Sequence, residues 1–506
     1  MTSPHLHDHA FDYLNARQRE GLMLLTRRGM LKASFAGLGG ITLPGLLQHR
    51  AQGANPSQLN PGQINPGQIN PGQINPGQIN PGRRSKAGKS VILLWMAGGP
   101  SHIDTWDPKP DRPYENRGPF GVTATALPGV NICEHLPKQA AMLDKFTILR
   151  SVDARMSNHS PSKVFQTGNR EAGPRVNPKA DTIPSIASVV AKHHGANQKA
   201  MPPYVAFETS RSHVAYAGYL GRQYNPFIAQ QAARLPIYSN IGVDTEKFTA
   251  GKLFQPTAGL TEQRIQGRQS LLKQFDQMRR EFDQSGAMGA MDTFQQQATD
   301  MLLGHNAREA FDLKKESQKT RDKYGKHLWC QEALLARRLV ESGAAFVTID
   351  LSYHPASGTW DTHGDNIPPY GGIKKGLGPL LPLFDHLITT LVADLDERNL
   401  LDDVLVIAMG EFGRTPTMGT QESTDGRNHW PVVMSMCMAG GGLRHGQVIG
   451  ATETDGGHIK SRPVTPGDLA ATIYRHMDVP LDTTYEDPRG RPFPVVIDGK
   501  PIAELF

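Results

Sequence analysis

The stretch Ser90-Val-Ile-Leu-Leu-Trp-Met-Ala-Gly-Gly-Pro-Ser-His-Ile-Asp104 indicates the fold class, because an apolar run leads directly into a polar, glycine-containing loop. A continuous apolar run of this kind is typical of a strand that is covered on both faces, as in a parallel sheet. Further runs of the same type lie at 146–149, 204–207, 345–351, 404–409 and 432–438. The sequence therefore predicts an α/β fold with a mostly parallel central sheet.

Helical patterns separate these apolar runs. Helices are predicted at 184–192, 380–398 and 468–476, the first with a proline at its first helical position. The segment 261–342 is rich in Gln, Glu, Lys, Arg and Leu, which favours several long helices. We interpret this segment as a helical cap or insertion packed on the core.

The net charge of +6 is concentrated near the amino terminus. Residues 1–53 carry a charge of +3 and residues 54–89 carry +4, so the rest of the 506-residue chain is close to neutral. A basic stripe of the kind that binds phosphate backbones is not evident. We therefore do not expect nucleic acid as a partner.

Residues 1–53 have the pattern of an export leader. The segment Thr26-Arg27-Arg28-Gly-Met-Leu-Lys32 resembles a twin-arginine signal, and a short, glycine-containing apolar stretch follows at 33–47. That stretch is too short to predict a permanent membrane span beyond the leader. We expect the twin-arginine export machinery as a partner and a periplasmic, cell-envelope or extracellular location. Cleavage near Gly53, an uncleaved anchor, and a chance arginine pair before a buried helix are the alternatives.

Residues 54–89 read as a linker between this leader and the body at 90–506. From 60 to 82 the unit Asn-Pro-Gly-Gln-Ile repeats with a period of five residues. Asn-Pro-Gly favours turns, and one isoleucine per repeat cannot build a core. We predict a flexible spacer, with a short β-solenoid as the alternative.

Three polar motifs lie in the last third of the chain. They are Trp-Asp-Thr-His-Gly-Asp-Asn at 360–366, Glu-Phe-Gly-Arg-Thr-Pro at 411–416 and Gly-Arg-Asn-His-Trp-Pro at 426–431. The first two follow predicted strands, and the carboxyl ends of parallel strands form the edge at which open α/β sheets bind ligands. Carboxylates and imidazoles without thiolates suit a hydrolytic metal centre rather than a structural zinc site.

Five residues are candidate metal ligands. Asp361 and His363 are two apart, so both side chains face the same way in an extended segment. Glu411 follows the strand at 404–409, and His429 and Asp104 are the remaining candidates from neighbouring strand ends. One or two divalent cations held there would polarise a phosphoryl or sulfuryl oxygen. Taken singly, each motif would be an ordinary surface loop.

Arg414 is a candidate substrate-binding residue. The donor geometry of its guanidinium fits the oxygens of phosphate or sulfate, so we expect it to act as an anion clamp. The alternative is a structural ion pair with an acidic residue in a loop.

The order of the motifs resembles that of a bacterial secreted family called domain of unknown function 1501. The resemblance spans about residues 90–500 and includes Gly-Gly-Pro-Ser-His-Ile-Asp at 98–104 and Asn-His-Ser-Pro-Ser at 158–162, besides the three motifs above. That family is grouped with the alkaline phosphatase and sulfatase superfamily. The resemblance therefore implies a three-layer α/β/α sandwich with a metal centre at the carboxyl ends of the strands. The implied cations are Zn, Ca, Mg or Mn.

The resemblance leaves the nucleophile open. Counting back from the Thr-Gly pair at 167–168 places Asn158 at the position of the sulfatase nucleophile, and counting back from the Pro-Ser pair at 161–162 places His159 there. Ser160 is the nearest hydroxyl. The candidate catalytic residues are therefore His159 and Ser160. His159 would act as a metal ligand, a general acid or a nucleophile, and Ser160 as a displaced nucleophile. Direct attack by an activated water is the further alternative.

Together these observations predict an exported, metal-dependent hydrolase of phosphate or sulfate esters, acting on a small-molecule or polysaccharide substrate. The alternative function is a non-catalytic binding or scaffold protein of the cell envelope that keeps the metal site for stability.

Overall fold

The computed structural model describes residues 88–159, 163–173, 182–231, 305–353, 357–366, 370–419 and 422–506. The predicted leader, nearly all of the predicted linker and the part of the predicted helical insertion from 261 to 304 lie outside the described residues. Apart from Gly88 and Lys89, all described residues belong to the predicted body.

An eight-stranded sheet forms the centre of the fold. Its strands in chain order are Ser90–Trp95 (β1), Phe146–Val152 (β2), Tyr204–Glu208 (β3), Phe227–Gln231 (β4), Phe346–Asp350 (β5), Val404–Met409 (β6), Met434–Gly440 (β7) and Gln447–Ile449 (β8). They are arranged in the order β8-β2-β7-β6-β1-β5-β3-β4. Only β7 runs antiparallel to its neighbours within this sheet. The predicted mostly parallel sheet is thus confirmed.

Helices surround this sheet. The α-helices are Tyr114–Arg117 (α1), Pro137–Ala141 (α2), Val164–Thr167 (α3), Ile186–His193 (α4), His305–Phe311 (α5), Gln318–Tyr324 (α6), Leu328–Glu341 (α7), Gly378–Glu397 (α8) and Pro466–His476 (α9). A π-helical segment, Ile373–Leu377, leads into α8, and short 3-10 turns lie at Leu143–Lys145, Arg170–Ala172, Gly218–Leu220, Arg222–Tyr224, Leu313–Lys315 and Ala503–Leu505. Two-stranded ribbons pair Val122–Ala124 with Asn131–Cys133, Gly413–Arg414 with His429–Trp430, Ala451–Thr452 with Ile459–Ser461, and Thr484–Glu486 with Pro492–Pro494.

The helices form one layer on each face of the sheet, because β1 has apolar side chains on both faces. Ile92 and Leu94 belong to a core that also contains the buried faces of α7 and α8. Val91, Leu93 and Trp95 belong to a second core that includes α4 and α9. Alternate side chains of a strand point to opposite faces, so the apolar run of β1 supplies both cores at once. The three-layer α/β/α sandwich is therefore confirmed.

The helix α7 lies in the carboxyl-terminal part of the predicted helical insertion, which the structure describes. It packs directly on β5, and all but a few of its residues are buried. This helix thus packs on the core, within one outer layer of the sandwich. The helices α5 and α6, which precede it, have seven residues each and are shorter than the long helices that the sequence predicts.

The helix α8 is the most apolar long helix of the described residues. Together with its π-helical start it forms the segment Ile373–Glu397, which by length and composition alone could cross a membrane. Its most apolar window has a mean hydropathy of 1.3, and 67% of that window is buried inside the fold. Its burial explains the apolar composition, as in the core helix of an α/β sandwich.

Candidate metal centre and active site

Polar side chains converge at one edge of the sheet. The carboxyl ends of β1, β5 and β6 lie level, because the last residues of the three strands are register partners. Asp361 and His363 follow β5, Glu411 follows β6, and His159 follows β2. The ribbon of Gly413–Arg414 and His429–Trp430 joins the second and third polar motifs and places His429 at the same edge.

Close packing of the loops fixes this arrangement. The buried Trp360 donates its indole N–H to the carbonyl of Leu351, 2.9 Å away, which anchors the loop that carries Asp361. Gly98 has φ +117°, and a Cβ there would lie 2.2 Å from the backbone nitrogen of Asp361. Only glycine allows the loop after β1 to pass so close to the Asp361 backbone.

Three side chains form the centre of the cluster. Nε2 of His159 lies 2.9 Å from Nε2 of His429 and 3.4 Å from Oδ2 of Asp361. Oδ1 of Asp361 is 3.5 Å from Nε2 of His429. His159 and Asp361 are buried, whereas the His429 side chain is 42% exposed. The cluster therefore opens to solvent on the side of His429.

Two further side chains beside the cluster each have one buried polar atom to which no described residue is hydrogen-bonded. Nδ1 of His363 lies 2.6 Å from Oδ1 of Asp361, while its Nε2 has no hydrogen-bond partner among the described residues. Oε1 of Glu411 accepts from the Gly98 N–H at 2.9 Å and lies 2.6 Å from Nδ1 of His159, while its Oε2 has no partner there. Leaving such a buried group unsatisfied costs about 1–3 kcal/mol. An imidazole nitrogen and a carboxylate oxygen are kinds of atom that bind divalent cations.

Burial and neighbouring charges together determine the protonation states of these side chains. It raises the pKa of Glu411 to about 8 and lowers the pKa of His159 to about 3. Burial opposes ionisation of Asp361 as well, but the Arg414 guanidinium and the neighbouring imidazoles hold the pKa of that carboxyl well below its usual range. His159 is thus neutral and Asp361 anionic near neutral pH, which are the forms in which both bind cations.

The structure does not support the anion clamp predicted for Arg414. This side chain is fully buried, and its Nη2 donates to Oδ1 of Asp361 at 2.6 Å and to the carbonyl of Gly98. Its Nε donates to the carbonyl of Gly99 at 2.8 Å, and its Nη1 to that of Arg427 at 3.2 Å. The alternative, a structural ion pair with a loop acid, describes these contacts.

Asp104 does not join the cluster, although the sequence suggested it as a ligand. Its Oδ2 accepts from Nε of the buried Arg427 at 2.6 Å and from Oγ of Ser101 at 2.5 Å. Asp104 stands well past the end of β1 at Trp95, where the loop brings it to Arg427 and not to the cluster. This ion pair ties the first polar loop to the third motif.

Of the two candidate catalytic residues, only His159 can be placed. Ser160 lies outside the described residues. Oδ1 of Asn158 accepts from the backbone N–H of His159 at 2.8 Å, and no hydroxyl or thiol occupies either position found by counting back from the family motif.

Two hydroxyl groups beside the cluster escaped the sequence-based prediction. Oγ of Ser357 is hydrogen-bonded to Oδ2 of Asp361 and lies 2.9 Å from the hydroxyl of Tyr370. The Tyr370 ring packs against the His363 ring with 4.5 Å between centroids. A single serine or tyrosine in a loop does not form a sequence motif that predicts a site. The only indication in the sequence was that these two residues flank the motif at 360–366.

No curated protein matches the sequence. Among solved structures, the chain is similar to Ps i-CgsB in complex with k-i-k-neocarrahexaose, at 11% identity and TM-score 0.36, over 78% of this chain and 72% of that one. It is similar to the PsFucS1 sulfatase from Pseudoalteromonas sp. at 12% identity and TM-score 0.36, over 78% and 68%. It is also similar to the phosphonate monoester hydrolase of Agrobacterium radiobacter at 11% identity and TM-score 0.29, over 82% and 77%.

The family assignment rests on a longer match. A family model covers residues 88–506, which include every described strand and every residue of the cluster. The chain therefore belongs to the family described as protein of unknown function (DUF1501).

Proposed function

We propose that this protein is an exported, metal-dependent hydrolase of phosphate or sulfate esters. The observation that supports this most is the juxtaposition of His159, Asp361 and His429, whose ligand atoms all lie within 4.8 Å of one another. Beside them lie Nε2 of His363 and Oε2 of Glu411, which have no hydrogen-bond partner in the described part of the chain. These five residues are the ligands that we propose, whereas Asp104 is no longer among them.

The side chains of this cluster have complementary tasks. A bound divalent cation would supply Lewis acidity toward an ester oxygen. Glu411 holds the Nδ1 side of His159 at 2.6 Å, so Nε2 of that ring faces Asp361 and His429. Carboxylates that orient imidazole ligands in this way are usual around metal sites. The half-exposed His429 marks the side on which a small-molecule or polysaccharide ester would enter.

The proposed location is outside the cytoplasm, by way of the twin-arginine machinery. It is inferred from the leader at 1–53, which lies outside the described residues. Export in the folded state would suit a protein that acquires its cation before it crosses the membrane.

Metal analysis together with an activity screen tests the proposal. We expect about one or two tightly bound divalent ions per chain and hydrolysis of p-nitrophenyl phosphate or p-nitrophenyl sulfate. His159→Ala and Asp361→Ala should each lose the ion and the activity. His194→Ala, which removes an exposed histidine at the end of α4, is the matched control and should change neither.

The second candidate function is a non-catalytic binding or scaffold protein of the cell envelope. It is favoured by the absence of a hydroxyl or thiol at positions 158 and 159. A chain that binds its cation stoichiometrically but hydrolyses no ester in the screen would support this alternative. A wild-type chain without a bound cation would refute the metal-dependent hydrolase.

A further inference from the structure

The two carboxylate oxygens of Asp361 are held in different ways. Oδ1 has two strong donors, Arg414 and His363, each at 2.6 Å. Oδ2 faces Nε2 of His159 at 3.4 Å, and its short contact is with the hydroxyl of Ser357. Arg414 and His363 therefore hold the carboxylate at Oδ1, and Ser357 is the hydroxyl donor that holds it at Oδ2.

The donor at Oδ2 matters because the terminal torsion of an aspartate side chain is soft. Rotation about the last side-chain bond has broad minima and turns the planar carboxylate as a unit, so donors on both oxygens restrict this rotation more than donors on one oxygen. Oδ2 is the oxygen nearest Nε2 of His159. A donor that fixes Oδ2 thereby fixes the distance between two of the ligands that we propose.

Ser357 is placed by its own loop and not by Asp361. The following residue, Gly358, has φ +118°, and a Cβ there would lie 2.1 Å from the carbonyl of Ala97. Thr359 is bound on both sides, since its N–H donates to Oγ of Ser352 at 3.1 Å and its Oγ1 accepts from the N–H of Tyr353 at 2.7 Å. The loop therefore presents the hydroxyl of Ser357 at a fixed position.

Tyr370 is hydrogen-bonded to Ser357 and lies beside the motif at 360–366. Its hydroxyl lies 2.9 Å from Oγ of Ser357, and its ring packs on His363, whose Nδ1 is bound to Asp361. Ser357 thus contacts Asp361, and Tyr370 contacts His363. All four side chains are buried.

We propose that Ser357 and Tyr370 are positioning residues for the metal centre, with Ser357 fixing Oδ2 of Asp361 for cation binding. This inference rests on the function proposed above, because it assigns a role toward the same cation. It adds two residues to the site that the polar motifs do not contain. Groups that orient metal ligands typically change cation affinity when they are removed.

The test is a calorimetric titration of Zn²⁺ into the full chain after its metal has been removed with a chelator. Ser357→Ala should weaken Zn²⁺ binding about 10- to 100-fold, the range found when orienting groups are removed. Ser357→Thr keeps the hydroxyl and should stay close to the wild type. Tyr370→Phe should cause a smaller loss than Ser357→Ala, because the bond from Ser357 to Asp361 remains.

Ser185→Ala separates positioning from stability. Ser185 is another buried serine, and its hydroxyl caps the amino end of α4. This variant should lower the melting temperature of the metal-free protein but leave Zn²⁺ affinity unchanged. Ser357→Ala should lower this melting temperature too, because a buried carboxylate oxygen loses its donor, but it should also weaken Zn²⁺ binding, which Ser185→Ala should not.

Each outcome bears on one of the two proposals. Wild-type chain that does not bind Zn²⁺ would refute the metal centre and this inference with it. Wild-type binding with equal affinity in Ser357→Ala would refute the positioning role alone. Equal losses in Ser357→Ala and Ser357→Thr would show that packing, and not the hydroxyl, is what matters.

Discussion

Asp361 and Arg414 form the ion pair around which the candidate site is built. Both side chains are almost completely buried, and the guanidinium links Asp361 to backbone carbonyls of the loop after β1. A buried charge pair is tolerated only when its remaining donors are satisfied, and here backbone carbonyls satisfy them. Arg414 thus connects the loops after β1, β5 and β6 at the edge where the proposed ligands meet.

The first prediction concerns this arginine. Arg414→Lys should lower the free energy of unfolding by about 2–4 kcal/mol, because a single ammonium cannot reproduce the fork of donors. Chemical denaturation followed by circular dichroism, with a chelator present, measures the loss. Arg491→Lys is the control: Arg491 is 67% exposed and pairs with Asp487, so it should cost less than about 1 kcal/mol. Unchanged stability together with weaker inhibition by phosphate would instead restore the anion clamp.

Residues of the candidate site could be singled out from the sequence, but the partner of each residue could not. Asp361, His363, Glu411 and His429 stand out in sequence because they follow strand ends beside Gly or Pro, and the structure brings them together. The pairing of Arg414 with Asp361 and of Arg427 with Asp104 depends on how three loops pack, which no local pattern encodes. For this reason the sequence suggested Asp104 as a ligand, whereas the structure pairs it with Arg427.

At the scale of elements, the strands were easier to predict than their directions. The run at 432–438 predicts a buried strand correctly, but β7 runs antiparallel to β2 and β6. An apolar run indicates that a strand is buried on both faces, but it does not indicate the direction of the strand. The antiparallel direction of β7 could therefore not be predicted from the sequence. The edge strands β4 and β8 were missed because a short, partly exposed strand has no long apolar run.

The layer formed by α7 and α8 is joined by a charge network around Glu316. This carboxylate is bound by Arg337 and lies 3.0 Å from Nη1 of Arg338, both on α7, and 3.2 Å from Nη2 of Arg398, just after α8. Burial alone would raise the pKa of Glu316, but the arginines, Arg337 foremost, lower it to about 2. The network therefore stabilises the folded state while Glu316 is ionised.

The second prediction is a pH dependence at this element. Because the pKa of Glu316 is lower in the folded chain than in the unfolded chain, its contribution is complete above about pH 4.5 and is lost as the pH falls toward 2. Glu316→Gln should cost about 2–3 kcal/mol at pH 7 and progressively less between pH 4.5 and pH 2. Denaturation at pH 7, 4 and 3 measures the difference. Glu504→Gln, at a partly exposed pair with Arg462, should cost less at every pH. A constant difference for Glu316→Gln would contradict the assignment.

At the scale of the whole molecule, the described body is close to neutral and the basic charge lies before it. The family match begins at residue 88, so it leaves out the repeats and the arginine pair. The sequence therefore divides the chain into a folded body that carries the candidate site and an amino-terminal part that we propose directs export. The two parts are tested by different experiments.

The third prediction concerns the amino-terminal part. Replacing Arg27 and Arg28 by lysine keeps the charge but removes both guanidinium groups, which bind by a planar fork that an ammonium lacks. If the leader is read as a twin-arginine signal, this double variant should stay in the cytoplasm. Fractionation and immunoblotting of the full chain measure its distribution.

Arg17→Lys with Arg19→Lys is the matched control, because it changes two nearby arginines outside the signal and should be exported normally. The body should bind the proposed cation equally well in both variants, since the proposed signal and the proposed metal centre use separate residues. Normal export of the variant at 27 and 28 would show that the arginine pair is not a signal and that the location must be decided by other means.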